Sequence, residues 1–568
     1  MTDQERAVMD SSAIVKPATA DASAPPELPP NEHSVEPLDV PEDIKIRTTL
    51  RTYSILVSLC LVLFVAALDQ TIIATSIPTI TASLNSASGY VWIGGAYLLA
   101  KVAAGPIWAR TSDIWGRKPA LLGAVSIFTV ASILAALSSN MPMLIAARAL
   151  QGTAGGGLIQ LVTITITISD LFSVRRCPLF IGLLGFIWAV AGTAGPLIGG
   201  AFTQFVSWRW CFWINLPVCG IAFMLVFLFL DVHNPRTKLG EGLKAIDWFG
   251  SFSILGVTLL LLLGLDFGAA IFPWDSPKVI CLVVFGALMI GFFLYSEKRL
   301  AKYPLIPLGV FKDWSNNAIF LVAFAQNMVS IGTEYYLPLY FQSVKQESPV
   351  RSGLLILPML GTEAATDILA GVLIHKTGRY REISWVGTAL MTLGTGLYIS
   401  FQTDTSIATI TGLEVIGGIG TALLFQTPMI AIQSTVDQAD TATATSTLGF
   451  IGNVATSLSI VLGGVVFQNS MNLRQPVLAA AGLNGAVLDA LSGDHAAANV
   501  EIVQTIQDAT QRHVVQDAFA WSIRNMFIMY TSLAGVALLA SLFIKQRHLS
   551  TEHTETKTGI DNLKKRPT

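Results

Sequence analysis

LGFIWAVAGTAGPLIGGAFTQ, Leu184–Gln204, returns in the second half of the chain as LGFIGNVATSLSIVLGGVVFQ, Leu448–Gln468. Both stretches open on Leu-Gly-Phe-Ile. Both place a Gly-Gly pair and the closing Gln at the same offsets. Two further patches keep almost the same interval. RALQGTAGGGLIQ, from Arg148, aligns with EVIGGIGTALLFQ, from Glu414. The Gly116-Arg117 pair after Asp113 aligns with Gly378-Arg379 after His375. Apolar glycine-rich helices resemble one another in any case, but matched polar positions at one interval are harder to produce by chance. We read an internal duplication.

Composition says what is duplicated. Of 568 residues, 52% are apolar and only 13% charged, about half the charge of an ordinary globular chain. The mean hydropathy is +0.60. Much of this surface faces something other than water, and a net charge of −2 offers no basic field to nucleic acid. The five cysteines, Cys60, Cys177, Cys211, Cys219 and Cys281, have neither metal-ligand spacing nor a disulfide framework and read as small buried hydrophobes. Residues 1–46 are rich in Pro, Ala, Ser and acids and read as a disordered cytosolic tail, without a cleavable signal peptide. Residues 546–568 read as a second tail.

A bilayer core takes about 20 apolar residues per helix. That ruler finds fourteen segments, near 53–77, 90–109, 119–138, 143–168, 179–203, 210–230, 247–266, 278–296, 318–342, 353–374, 383–401, 406–430, 443–468 and 523–544. With the N-terminus inside, the inner loops hold Arg110, Arg117, Lys118, Arg175, Arg176, Arg236, Lys238 and more. The short outer loops hold only Arg209, Lys278, Lys345 and Arg351. Positive charge inside puts both termini in the cytosol. The repeat maps span 4 on span 12 and span 5 on span 13. An even shift of eight spans keeps the topology, so the repeat is parallel. The expected order is a six-helix bundle (47–232), two inserted helices (233–300), and a second six-helix bundle (301–545) with a polar outer segment at 469–522. Parallel halves about a central axis are a transporter architecture with its substrate near the midplane.

Ionisable residues inside the spans need a reason. A charge at a helix centre costs roughly 2.5–3.5 kcal/mol on insertion scales. Asp69, in LVLFVAALDQTIIATSIP, must face a wet cavity, find a partner or stay protonated; near the outer interface it could merely cap a helix. Arg148 cannot give up its charge and needs an acid or backbone carbonyls. Glu363 and Asp367, four apart, share a helix face. Two carboxylates so placed disfavour double ionisation and suit a cationic or hydrogen-bonding substrate, unless they sit in a wet vestibule. Glu334 precedes Tyr335 and Tyr336, which reads either as a site for an amphipathic cation or as an interfacial aromatic belt. Glu414 is the counterpart of Arg148. With Gln151, these acids are the candidate cavity residues.

Several motifs carry a family resemblance over about residues 50–545. SDIWGRKPAL after span 2 resembles the inner-loop signature of the major facilitator superfamily. Arg148-x-x-Gln151-Gly152 and Gly195-Pro196-Leu197-Ile198-Gly199-Gly200 resemble two signatures of its drug:proton antiporters, and LDQTIIATSIP their acid-bearing first-span motif. WRWCFWINLP, Trp208–Pro217, is similar to a motif of the fourteen-span branch that includes fungal toxin and multidrug exporters. Ala109 and Ala191 stand where the family has glycine, and Thr111 where it has leucine.

The resemblance implies an all-α membrane fold of two parallel six-helix bundles plus two inserted helices. It implies proton-coupled efflux of small amphipathic molecules, driven by the proton gradient without a cofactor or metal, with the chain working as a monomer in the lipid bilayer. Asp69 would carry the proton and Arg148 tune it. Asp113, Gly116, Arg117 and Lys118 would latch the cytosolic face. Gly195, Pro196, Gly199 and Gly200 would form a seam between the halves, small residues permitting close approach and proline a bend. The plasma membrane is the expected location, with the vacuolar membrane as the alternative. The same fold could instead import basic amino acids or siderophores. No nucleotide-binding G-x-x-x-x-G-K-[ST] and no common hydrolase motif is present, so an enzyme is not expected.

Overall fold

The computed structural model describes residues 42–73, 76, 79–80, 83–84, 89–167, 177–230, 235, 237–270, 272–301, 305–306, 308–347, 349–436, 441–492, 496–497, 499–500, 502–547 and 549. The expected tails fall almost entirely outside these residues. Met1–Leu50 and Arg51–Thr568 are separate units, and of the first only the start of one helix is described.

Fourteen long helices follow one another among the described residues. They are α1 (Glu42–Ile72), α2 (Gly89–Trp115), α3 (Arg117–Ala136), α4 (Met141–Thr167), α5 (Cys177–Phe205), α6 (Asn215–Phe229), α7 (Trp248–Ala270), α8 (Pro277–Tyr295), α9 (Trp314–Ser343), α10 (Leu357–Thr377), α11 (Arg381–Tyr398), α12 (Ile407–Thr435), α13 (Thr441–Ala480) and α14 (Ala509–Ser541). Their order matches the fourteen expected spans. Eight segments are long and apolar enough to cross a membrane by length and composition alone. The others carry polar residues that lower their hydropathy, such as Lys101 in α2 and Glu334 in α9, or include side chains outside the described set.

Packing follows the duplication. One apolar core is built from α1–α6, from Ile55 to Leu230. A second is built from the chain between Val310 and Leu549. A small cluster of Ile254, Phe293, Leu305 and Ile306 lies with the inserted pair, α7 and α8, which pack on each other. The two cores meet where α2 packs on α13 and α5 on α10. Shifting each helix by eight exchanges these two contacts, as a two-fold relation between parallel halves requires. The repeated turns also agree: Gly116 and Gly378 hold φ of 94° and 70°. Other residues avoid that region, which is why glycine recurs there.

Two boundaries differ from the sequence reading. Helix α13 runs on to Ala480, past the expected end at 468, and α14 begins at Ala509 rather than 523. The segment expected as a polar outer loop is thus largely helical. Met471, Leu478, Leu483, Leu491 and Val503 bury into the second core, and Gln475 Nε2 donates to the Leu491 carbonyl at 2.8 Å. Hydropathy averaged over a span hides such amphipathic extensions. Cys211 and Cys219 are buried as expected, whereas Cys281 is exposed on α8.

Candidate functional site

The first half closes around one ion pair. On α1 an unbroken apolar run from Leu59 to Leu68 leads to Asp69, and Thr71 then turns its hydroxyl to the Ala191 carbonyl of α5 at 3.0 Å. On α4, Gly152 lets the backbone of α2 come so close that a Cβ would run into the Tyr97 carbonyl. That approach lays the Tyr97 ring 4.4 Å from the Arg148 guanidinium carbon. Arg148 Nη1 donates to Asp69 Oδ2 at 2.6 Å and to Gln151 Oε1 at 2.9 Å, and its Nε donates to the Ile93 carbonyl at 3.1 Å. Gln151 Nε2 donates to Asp69 Oδ1 at 3.2 Å and to Ser132 Oγ at 2.8 Å. Asn215 Nδ2 donates to the same Oδ1 at 2.7 Å. Asp69 is 0% exposed and Arg148 1%.

Of the three readings open for Asp69, the structure takes the partner. Five helices supply the cluster: α1, α2, α3, α4 and α6. Gln151, expected at a cavity, belongs instead to this closed cluster. Asn215 and Ser132 were missed. Asn215 sits in the quoted Trp208–Pro217 stretch, and an amide between apolar residues was its signal; Ser132 had none.

In the second half the two α10 acids part company. Glu363 accepts from Thr421 Oγ1 at 2.7 Å, and Asp367 from Gln426 Nε2 at 2.7 Å, both donors on α12. Glu334 accepts from Ser330 at 3.3 Å and interacts electrostatically with Glu363. Glu414, expected at a cavity, is 0% exposed and shut inside the bundle.

Lys101 on α2, inside a span, was also missed. Its Nζ donates to Gln70 Oε1 at 2.8 Å and lies 5.3 Å from the Trp188 ring. It ties α2 to the residue after Asp69.

At the end of α2, Arg117 Nη1 donates to Asp113 Oδ1 at 2.9 Å and to Ser112 Oγ, and Arg110 approaches Asp113 at 3.8 Å. Asp113 and Arg117 are buried. Lys118 reaches 5.4 Å from the Phe227 ring of α6. Along α5, Gly195 packs on α1, where a Cβ would meet Thr71, and Gly199 offers its carbonyl to Thr203 at 2.7 Å. These contacts lie within the first half. The seam with the second half is made by Gly182 and Gly185, which face Asp367 on α10. Of the quoted motif, Gly195 faces α1 rather than the second half. Nothing lies within 4 Å of a Cβ built at Gly200. The Pro196 side chain is outside the described residues.

Comparison with known proteins agrees with this architecture. The Major Facilitator Superfamily profile matches residues 59–460. The chain belongs to the major facilitator superfamily. It is 42% identical over 511 residues to the efflux pump dotC of Dothistroma septosporum, covering 90% of this chain and 87% of that one. It is 43% identical over 516 residues to the MFS-type transporter ppz2 of Metarhizium majus, covering 90% and 88%. The efflux pump FUS6 of Gibberella fujikuroi is 35% identical over 477 residues, covering 84% and 85%. Among solved structures, the human organic anion transporter MFSD10 superposes with a TM-score of 0.56 at 14% identity, over 87% of this chain and 99% of that one. The proton:xylose symporter XylE reaches 0.55 at 13%, over 91% and 99%. These two likenesses speak for the fold alone. This major facilitator superfamily member is a multi-pass membrane protein of a small-molecule transporter family.

Proposed function

We propose that this transporter exports small amphipathic organic molecules against protons, by alternating access between its two halves. The buried Asp69–Arg148 pair carries the reading. An arginine keeps its charge, so only the acid can change state at this site. Breaking the pair leaves a charge in a dry bundle unless a proton arrives to neutralise the acid. Proton binding and helix separation are therefore coupled. Identity to proteins named efflux pumps supports export over import. The Asp113–Arg117 pair would brace the cytosolic turn between α2 and α3, with both termini in the cytosol and the plasma membrane as the site of action. One chain holds a complete acid–arginine cluster, so a monomer suffices.

Two measurements test this. Cells with and without the gene are profiled for retained metabolites. The retained compound is then followed in vesicles under an imposed pH gradient. Wild type should accumulate it uphill, and Asp69→Asn should only equilibrate it. Full uphill transport by Asp69→Asn would end the assignment.

A further inference from the structure

The second half carries different chemistry at the sequence positions that correspond to the Asp69 cluster. Glu414 on α12 stands where α4 carries Arg148 in the repeat. Tyr398 on α11 stands at the same interval from Ser132 on α3. Thr333 on α9 is separated from Asp69 by the interval that relates the two Leu-Gly-Phe-Ile stretches, and Glu334 is beside it. Where the first half closes an acid on an arginine, the second carries a carboxyl on α12 and a phenol on α11.

That carboxyl is isolated. Glu414 is 0% exposed and Tyr398 1%. Among the described residues, neither Glu414 oxygen has a hydrogen-bond partner, and neither does the Tyr398 hydroxyl. The hydroxyl rests on Gly417, one turn along from Glu414, and the two side chains interact electrostatically. Helices α5, α9, α10, α11 and α13 pack against α12. Among the described residues, the acids, phenols and histidine on these helices are Glu334, Tyr335, Tyr336, Tyr340, Glu363, Asp367, His375, Glu382 and Tyr398. Glu363 is held by Thr421 and Asp367 by Gln426. The cations of these helices stand elsewhere: Lys376 and Arg381 at helix ends, and Arg474 stacked on Trp521. A carboxylate with neither counter-ion nor donor in such surroundings is costly, and the neutral acid avoids that cost.

We propose that Glu414 is a second proton-binding site, in the half opposite Asp69, occupied in the conformation seen here and emptied when the second bundle admits water. Tyr398, whose hydroxyl lies against Gly417 one turn along from Glu414, is the positioning residue assigned to that site. This inference rests on the proton-coupled reading above and adds a second coupling group to it.

Protons are the only probe the test needs. The full-length protein is reconstituted in liposomes, and infrared difference spectra are recorded as the pH is stepped. A carboxylic-acid C=O band is expected in wild type and Asp69→Asn, fading as the pH rises. It should vanish in Glu414→Gln, with one proton fewer bound per transporter, and shift in frequency in Tyr398→Phe. If Glu414→Gln does not yield folded protein, the Tyr398→Phe shift decides alone. An unchanged spectrum in the tested variant, or a band at full height at every pH, overturns the proposal. Failure of the Asp69 reading would look different: Asp69→Asn would still transport uphill while the Glu414 band behaved as described.

Discussion

The Asp69 carboxylate and the Arg148 guanidinium meet at 2.6 Å, 79 residues apart in sequence and both shut away from solvent. Removing one member of a buried pair strands the other, at a cost of about 3–5 kcal/mol, whereas replacing both with apolar groups is often neutral. Arg148→Met should therefore lower the thermal unfolding midpoint in detergent sharply. The double change Asp69→Leu/Arg148→Met should recover most of that loss while remaining inactive. A double variant no more stable than the single one would mean that the pair is not the energetic centre of this half.

Asn215 donates to Asp69 across 146 residues at 2.7 Å. A hydrogen bond to a charged group contributes about 1.5–3 kcal/mol. Asn215→Leu removes it and should cost stability in that range, measured by the same melt, with uphill transport reduced more than exchange. Equal loss of both would assign Asn215 to packing only.

Gly185 leaves room for the Asp367 carboxylate at the α5–α10 seam. Gly185→Val forces these helices apart, at about 1–3 kcal/mol for overpacking. Hydrogen exchange should quicken at the facing stretches of α5 and α10 and remain unchanged in α3. Uniform quickening would point to global unfolding instead.

Lys101→Gln keeps a donor for Gln70 and removes the charge. With Lys101 against Trp188 and tied to the residue after Asp69, the variant should raise KM for the exported compound about tenfold, which corresponds to about 1.4 kcal/mol, and leave kcat nearly unchanged. A fall in kcat alone would place Lys101 in the conformational step.

At the start of α9, Asp313 accepts from the Ser315 amide at 3.0 Å and from Lys545 at 3.2 Å. The amide first, and then the lysine, hold its carboxyl below the usual range. A depressed acid stabilises the fold above its unfolded pKa and loses that contribution as the pH falls through its folded value. Asp313→Ala should thus cost about 1 kcal/mol near neutrality, and the difference from wild type should shrink in acid. A pH-independent difference would contradict the capping role.

The sequence by itself determined the membrane class, the parallel duplication and the helix order. Each of these depends on local properties: apolar run length, a repeat interval, and a glycine that only a positive φ explains. It also picked out Asp69 and Arg148, because an ionisable residue in an apolar run is conspicuous. Lys101 escaped notice because Gly, Pro and Trp already broke up its span. What joins to what was decided only by the fold. Asn215 and Ser132 reach Asp69 from helices far along the chain, and Gln151 turned inward rather than toward a cavity. The α10 acids found separate donors, Gly182 and Gly185 took the seam from Gly195, and Glu414 was left with no donor among the described residues. Hydrogen bonds and close approach act over about 3 Å, and only packing in three dimensions brings residues within that reach.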